Sequence, residues 1–370
     1  MNTATGLNTT FSMPTLSENT IDLPLATSGF TEDTLSSVSD NLGSRQNYLF
    51  DGAWDWFDTI NPSLAPEYKH NSVASKRLLE VYYLHFHAAH PILLPFRHQT
   101  RQLISNYPQY LTAVMQCIGS QYESMVLTEG YHNAVIHMLA SQPKRDGYLV
   151  QAMLIFSVTL SAQDWKQQAR QMLSSAMELA LDLGMNRRNF ASDNGMGSPF
   201  LEESWRRTWW ELYVLDGILA ALHQQGSFKL HGVENDVLLP CEDSDYSTGD
   251  VCSDHVRARV DVWLAKTFSK SVPKAYTMDQ IRDRAFSSQD IVYSSFSYRV
   301  EAVRILGTIL KLDRSTYARD SNEAEAIEAS LSSWLLCLPR AKREVLSYGG
   351  KVDEMLFQAH MIINASVLRA

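Results

Sequence analysis

The sequence predicts an all-α, multi-helix domain behind a disordered N-terminal arm, and three observations carry that prediction. Apolar residues recur at helical spacing in segment after segment from residue 72 onward, while strand signals are few. One of these segments, 204–223, is apolar on nearly every side and so belongs inside the fold. Residues 1–46 show no periodicity at all.

The elements follow in order. Residues 1–46 are rich in Ser, Thr and Asn and carry Glu18, Asp22, Glu32, Asp33 and Asp40 against a single base, Arg45. Such a stretch cannot bury enough apolar surface to offset its ordering entropy. Residues 47–71 form an acidic-aromatic linker, in which Phe50, Trp54, Trp56 and Phe57 alternate with Asp51, Asp55 and Asp58. That composition is found in transcription activation segments and equally in a clasp laid on a domain surface, and both readings stand.

The helical region runs from 72 to 370. Ser72 or Ser75 caps a first helix bearing Leu78, Leu79, Tyr82, Tyr83 and Phe86, which stops at His90-Pro91. Pro108 opens a helix through Leu111, Val114, Met115 and Ile118; a shorter one covers 131–139, and a buried one 149–160. Asp164 is placed as N-cap for 165–183, with Gly184 as the terminator. Residues 190–199 read as a turn-rich loop, 225–249 as irregular, and further helices are expected at 256–268, 291–310, 324–338 and from 355 to the end. The last has no evident cap or exit, so it resembles either a domain cut short or a terminal helix docked in a groove.

At about 100° per residue, Trp205, Trp209, Leu212, Asp216 and Leu219 share one stripe of the 204–223 helix. Only Arg206, Arg207 and Glu211 interrupt its apolar surface, and these charges argue against a membrane span. Asp216 is the anomaly, because a buried carboxylate must be paired, hydrogen-bonded or neutralised. An ion pair or a cap on a neighbouring helix is the structural account; a ligand-binding or catalytic carboxylate is the other.

The chain has 370 residues, 45% hydrophobic and 20% charged, enough for a sizeable core. A net charge of −9 argues against a nucleic-acid binder, which concentrates basic residues on one face. No secretory signal follows Met1 and no apolar run is long enough for a bilayer, so an intracellular chain with no membrane partner is expected. The four cysteines, Cys117, Cys241, Cys252 and Cys337, lack any C-x-x-C spacing, which suits free thiols rather than disulfides or structural zinc. No nucleophile elbow, phosphate loop, dinucleotide fingerprint or H-E-x-x-H motif occurs, so no enzyme, catalytic residue, cofactor or metal is assigned. His85, His87 and His90 miss the i, i+4 spacing of metal ligands, and the acids of 241–245 lack a second convergent set.

Four blocks in order resemble the fungal-specific transcription factor domain, the helical middle homology region. They are LLEVYYLHFHAAHPIL at 78–93, AMELALDLGMNR at 176–187, ESWRRTWWELYVLD at 203–216, and VLLPCED at 237–243. The third is the most diagnostic, and the signature residues carried over are Trp205, Arg206, Arg207, Trp209, Trp210, Asp216 and Pro240. Gly217 stands where the family often has Arg. The six-cysteine zinc cluster usual in the family is absent from these residues, as is its Leu-His-Arg-Pro-like continuation. The resemblance implies a nuclear transcription regulator acting on a biosynthetic or other pathway gene set. It would work through the transcription machinery or DNA-bound factors, with a homo- or heterodimer open to it, and without direct DNA binding of its own. A helical small-molecule-binding protein or enzyme with a pocket near Asp216, and a truncated member without independent activity, are the alternatives.

Overall fold

Ser198 and Pro199 start the longest helix in the protein. The Ser198 hydroxyl accepts from Leu201 N, and Pro199 occupies the first turn, where its missing N–H leaves nothing unsatisfied. In this computed structural model, which describes residues 73–96, 107–124, 126, 128–141, 143–248, 276–283, 291–312, 321–346 and 349–368, that helix runs Pro199–Leu222. It starts earlier than the apolar pattern alone indicates, because Phe200, Leu201 and the two glutamates precede the tryptophan stripe.

Twelve α-helices occur among the described residues: α1 Val73–His85, α2 Gln109–Ser120, α3 Thr128–Ala140, α4 Gly147–Ala162, α5 Lys166–Asp182, α6 Arg188–Asn194, α7 Pro199–Leu222, α8 Asp243–Thr248, α9 Met278–Arg282, α10 Ser295–Leu312, α11 Ser321–Leu336 and α12 Glu354–Val367. The protein is all-α, as the sequence predicts; the one β feature among these residues is an isolated bridge between Leu346 and Val352. The arm at 1–46, the acidic-aromatic linker with Trp54, Trp56 and Phe57, and the helix expected at 256–268 lie outside the described residues.

The helices pack in neighbouring pairs: α1 on α2, α2 on α3 and α4, α4 on α5, and α10 on α12. Helix α7 lies against α4, α5, α6 and α10, inside one hydrophobic core. Helix α4 is buried on most sides, and Asp146 holds its start by accepting from Tyr148 N and Leu149 N at 3.1 Å each. A cap of this kind contributes about 1 kcal/mol.

Three local expectations are corrected. Asp164 does not cap α5: it sits at φ 65, one residue too early, and its carboxylate pairs with Lys166 at 2.9 Å while Trp165 takes the cap position. Gly184, at φ 74, does end that helix in the left-handed conformation glycine tolerates. The loop expected at 190–199 begins as α6, whose first N–H, on Arg188, is capped from afar by Asp236 Oδ1 at 2.8 Å. The last helix has a cap after all, since Asp353 accepts from Leu356 N at 3.0 Å, and Met355, Leu356, Ala359 and Ile363 bury its inner face.

Candidate functional site

Charge is gathered around α7 to a degree the sequence does not suggest. Glu202, Glu203, Arg206, Arg207, Glu211 and Asp216 are all buried, where a solvent-facing stripe of Arg206, Arg207 and Glu211 would be the ordinary outcome for charged residues. Each must therefore be compensated inside the protein.

Arg207 does the most joining. Its Nε donates to Glu203 at 2.9 Å, Nη1 to Asp243 at 2.6 Å and to Pro91 O at 3.3 Å, and Nη2 to Cys241 O at 2.8 Å. The guanidinium also lies 4.2 Å from the Tyr246 ring centre. One side chain thus fixes the His-Pro turn after α1 and the Leu-Pro-Cys segment before α8 to the middle of α7. Burial would lower its pKa, but Asp243 and Glu203 reverse that and hold it well above the usual value. Glu203 is the counterpart: burial raises its carboxyl, and Arg206 and Arg207 together bring it below the ordinary range. Arg206 Nε meets the second oxygen of Glu203 at 2.9 Å.

A second buried cluster joins α7 to α10. Arg299 grips Glu211 with both terminal nitrogens, and His90 Nδ1 lies 2.7 Å from the same carboxylate. A polar seam joins α7 to α4: Gln151 Nε2 donates to Ser204 Oγ and Thr208 Oγ1 at 2.9 Å each, and Ser204 Oγ donates to Ile92 O at 2.6 Å. Lys342 is buried among Glu242, Ser295 and Asp353. Two of the three acids of 241–245 are accordingly engaged with cations of the protein, Asp243 by Arg207 and Glu242 by Lys342, while Asp245 accepts from Ser244 Oγ.

Asp216 accepts the N–H of Leu230 at 2.7 Å and so caps the 3-10 turn Lys229–Gly232. Burial pushes its carboxyl up to about 6, with the Leu230 N–H and Lys229 pulling the other way. Among the described residues it meets no arginine. The turn it caps presents Phe228 to two glycines: a Cβ on Gly217 would strike Val303 and lie 3.3 Å from Phe228, and one on Gly307 would lie 2.6 Å from Phe228. Gly217 therefore has no room for a larger side chain, and α7 approaches α10 closely at this point.

The other signature residues are placed as follows. Trp205 donates its indole N–H to Asn194 O at 3.0 Å and stands edge-on to Tyr148. Trp210 donates to Leu238 O at 2.9 Å, and Trp209 is fully buried. Pro240 accepts at its carbonyl from Ser294 at 2.7 Å, and its neighbours Leu239 and Cys241 direct their N–H groups to Tyr276 O and Glu203. Proline suits this position because its missing N–H leaves no unmet donor between two engaged ones. Arg299, Gln151, His90 and Lys342 belong to the same network and were missed as partners. Their only sequence signal is a polar residue at an apolar position, as Gln151 is in 148–160.

The fold and site define a helical scaffold domain whose charged groups clamp its own segments together around one long helix. The family model for the fungal specific transcription factor domain matches residues 79–336, and this chain belongs to that family. It is also 35% identical over 308 residues to the C6 finger domain transcription factor iacK of Pestalotiopsis fici, a match covering 83% of this chain and 42% of the relative. The chain thus spans less than half the length of that relative. No solved structure matches. Family and relative alike are those of transcription factors rather than enzymes. Among the described residues, no helix is long and apolar enough to cross a membrane.

Proposed function

We propose that this protein regulates transcription in the nucleus, controlling a biosynthetic or other pathway gene set through partner proteins. The match of the family model across 79–336 carries the reading, since it includes the whole of α7 and every segment that Arg207 ties to it. In this reading partner proteins share in bringing the chain to promoters, the helical domain is the docking or restraining body, and the acidic-aromatic segment is the activating one.

The test joins the full chain to a heterologous DNA-binding domain and reads a reporter. Output rises with the wild-type sequence and falls to background when Trp54, Trp56 and Phe57 are replaced by alanine. A silent wild-type fusion, with the chain present in the nucleus, refutes the activating role and favours a member without independent activity. Chromatin precipitation of the tagged chain then reports whether partners bring it to a defined set of promoters.

A further inference from the structure

Arg304 and Lys311 lie on the face of α10 that carries Gly307, one before it by a turn and one after it. Between them the ring of His231 rests against the bare backbone of Gly307, where any Cβ would collide with it. Tyr213 of α7 closes the other side with its hydroxyl 3.3 Å from His231 Nδ1. Phe228 forms the floor, its ring 5.0 Å from His231 and 5.2 Å from Tyr213.

The buried cations elsewhere in the core have acids: Arg206 and Arg207 have Glu203, Arg299 has Glu211, and Lys342 has Glu242. Arg304 differs. It is half-buried, its Nε is shut off from solvent, and among the described residues no hydrogen-bond acceptor or carboxylate meets its guanidinium. Lys311 is exposed and likewise has no acid within ion-pair distance among the described residues. The carboxylates of neighbouring elements are engaged, Asp216 by Leu230 N and Glu178 by Lys229 at 2.8 Å. His231 cannot supply the missing negative charge, and burial, then Lys311 and Arg304, lower its pKa to about 4, so its ring is neutral at physiological pH. The terminal nitrogens of Arg304 are not buried, so they face solvent with no acid of the described residues beside them and are open to an anion.

We propose that Arg304, Lys311, His231 and Tyr213 form a binding site for a small anionic ligand, presenting carboxylate or phosphate oxygens to the Arg304 fork. Lys311 adds a second positive charge, and the Tyr213–His231 pair, which uses one proton in its own hydrogen bond, has one left to donate to the ligand. The two cations stand seven residues apart, about 10 Å along the helix axis, so a ligand with two anionic groups fits better than one with a single group. Binding is a property of the isolated chain and does not depend on its action at promoters.

The experiment is calorimetric titration of the full chain at pH 7.5 with inorganic phosphate and, separately, with succinate, ionic strength being held constant with chloride. Saturable binding of at least one is expected, and the preferred anion tells phosphate from dicarboxylate chemistry. Arg304→Gln weakens it at least tenfold, and Lys311→Gln, at an exposed position where folding is not at stake, weakens it severalfold. Lys76→Gln, on an exposed stretch of α1, leaves it unchanged. Absence of saturable binding by both anions overturns the proposal, as does equal affinity in the Lys311→Gln and parent chains or an equal loss in Lys76→Gln.

Discussion

Arg299 of α10 and Glu211 of α7 form a two-pronged ion pair, Nη1 to Oε2 at 2.5 Å and Nη2 to Oε1 at 2.9 Å, with neither side chain more than 1% exposed. Two charges so far from water stabilise the protein only as a pair, and removing one strands the other. Arg299→Met is expected to destabilise the domain by about 3–5 kcal/mol, measured by urea unfolding. Adding Glu211→Gln to it should restore much of that loss, because the stranded carboxylate is gone. A double variant no more stable than Arg299→Met would show that packing around Met355, rather than charge, is what Arg299 provides.

Glu211 and Asp216 lie five residues apart on one helix and respond to pH in opposite senses. Burial raises Glu211, but Arg299 and His90 outweigh it and bring the carboxyl to about 2, below its ordinary 4.5. Its contribution is therefore present above pH 4.5 and lost as pH falls toward 2. Asp216 goes the other way, raised from 3.8 to about 6, so its contribution is full below 3.8 and lost as pH rises through 6. Asp216→Asn keeps an acceptor for Leu230 N without the charge. It should exceed the parent in stability at pH 8 by roughly 1–3 kcal/mol, because each tenfold change in proton affinity on folding is worth about 1.4 kcal/mol, and lose that advantage by pH 4. Unfolding midpoints at pH 4, 6 and 8 test this, and a gap that does not vary with pH would refute it.

Much of this architecture is legible in the chain because helical periodicity and caps are local. Pro108, Gly184 and the apolar stripe of α7 all mark elements that the structure contains. What periodicity does not encode is which cation meets which acid across the fold. The partner of Glu211 lies 88 positions along the chain, and Asp236 caps α6 from 48 positions away. Asp216 is a case between the two: its burial follows from the tryptophan stripe, while its role as cap of a turn beginning 13 residues later needs the return of the chain past Gln225.

Arg207 offers a test of geometry as distinct from charge. Lysine keeps the cation yet cannot reach Glu203, Asp243 and Cys241 O together, because its single ammonium replaces a planar fork. Arg207→Lys should cost about 2–4 kcal/mol, given several buried bonds lost or strained. The damage should be local, and limited proteolysis is expected to open the chain first at 234–243, the segment that Arg207 pins. A variant whose cleavage sites match the parent's would count against the clamp.

Gly217 stands where α7 packs tightly on α10, and the reason for a glycine there is steric. A Cβ there would run into Val303 Cγ1 of α10 and press on Phe228. Gly217→Ala gains helix propensity worth up to about 1 kcal/mol, yet the overlap forces α7 and α10 apart. The net expectation is a destabilisation of about 1–3 kcal/mol, read as a lowered unfolding midpoint. Val303→Ala alone should also destabilise, by leaving a cavity beside Gly217. Combined, the two changes exchange one methyl for the space it needs, so the double variant should be more stable than the sum of the single losses allows. Strict additivity would mean that Gly217 and Val303 do not touch, and that the close approach of α7 to α10 rests on Phe228 and Gly307 instead.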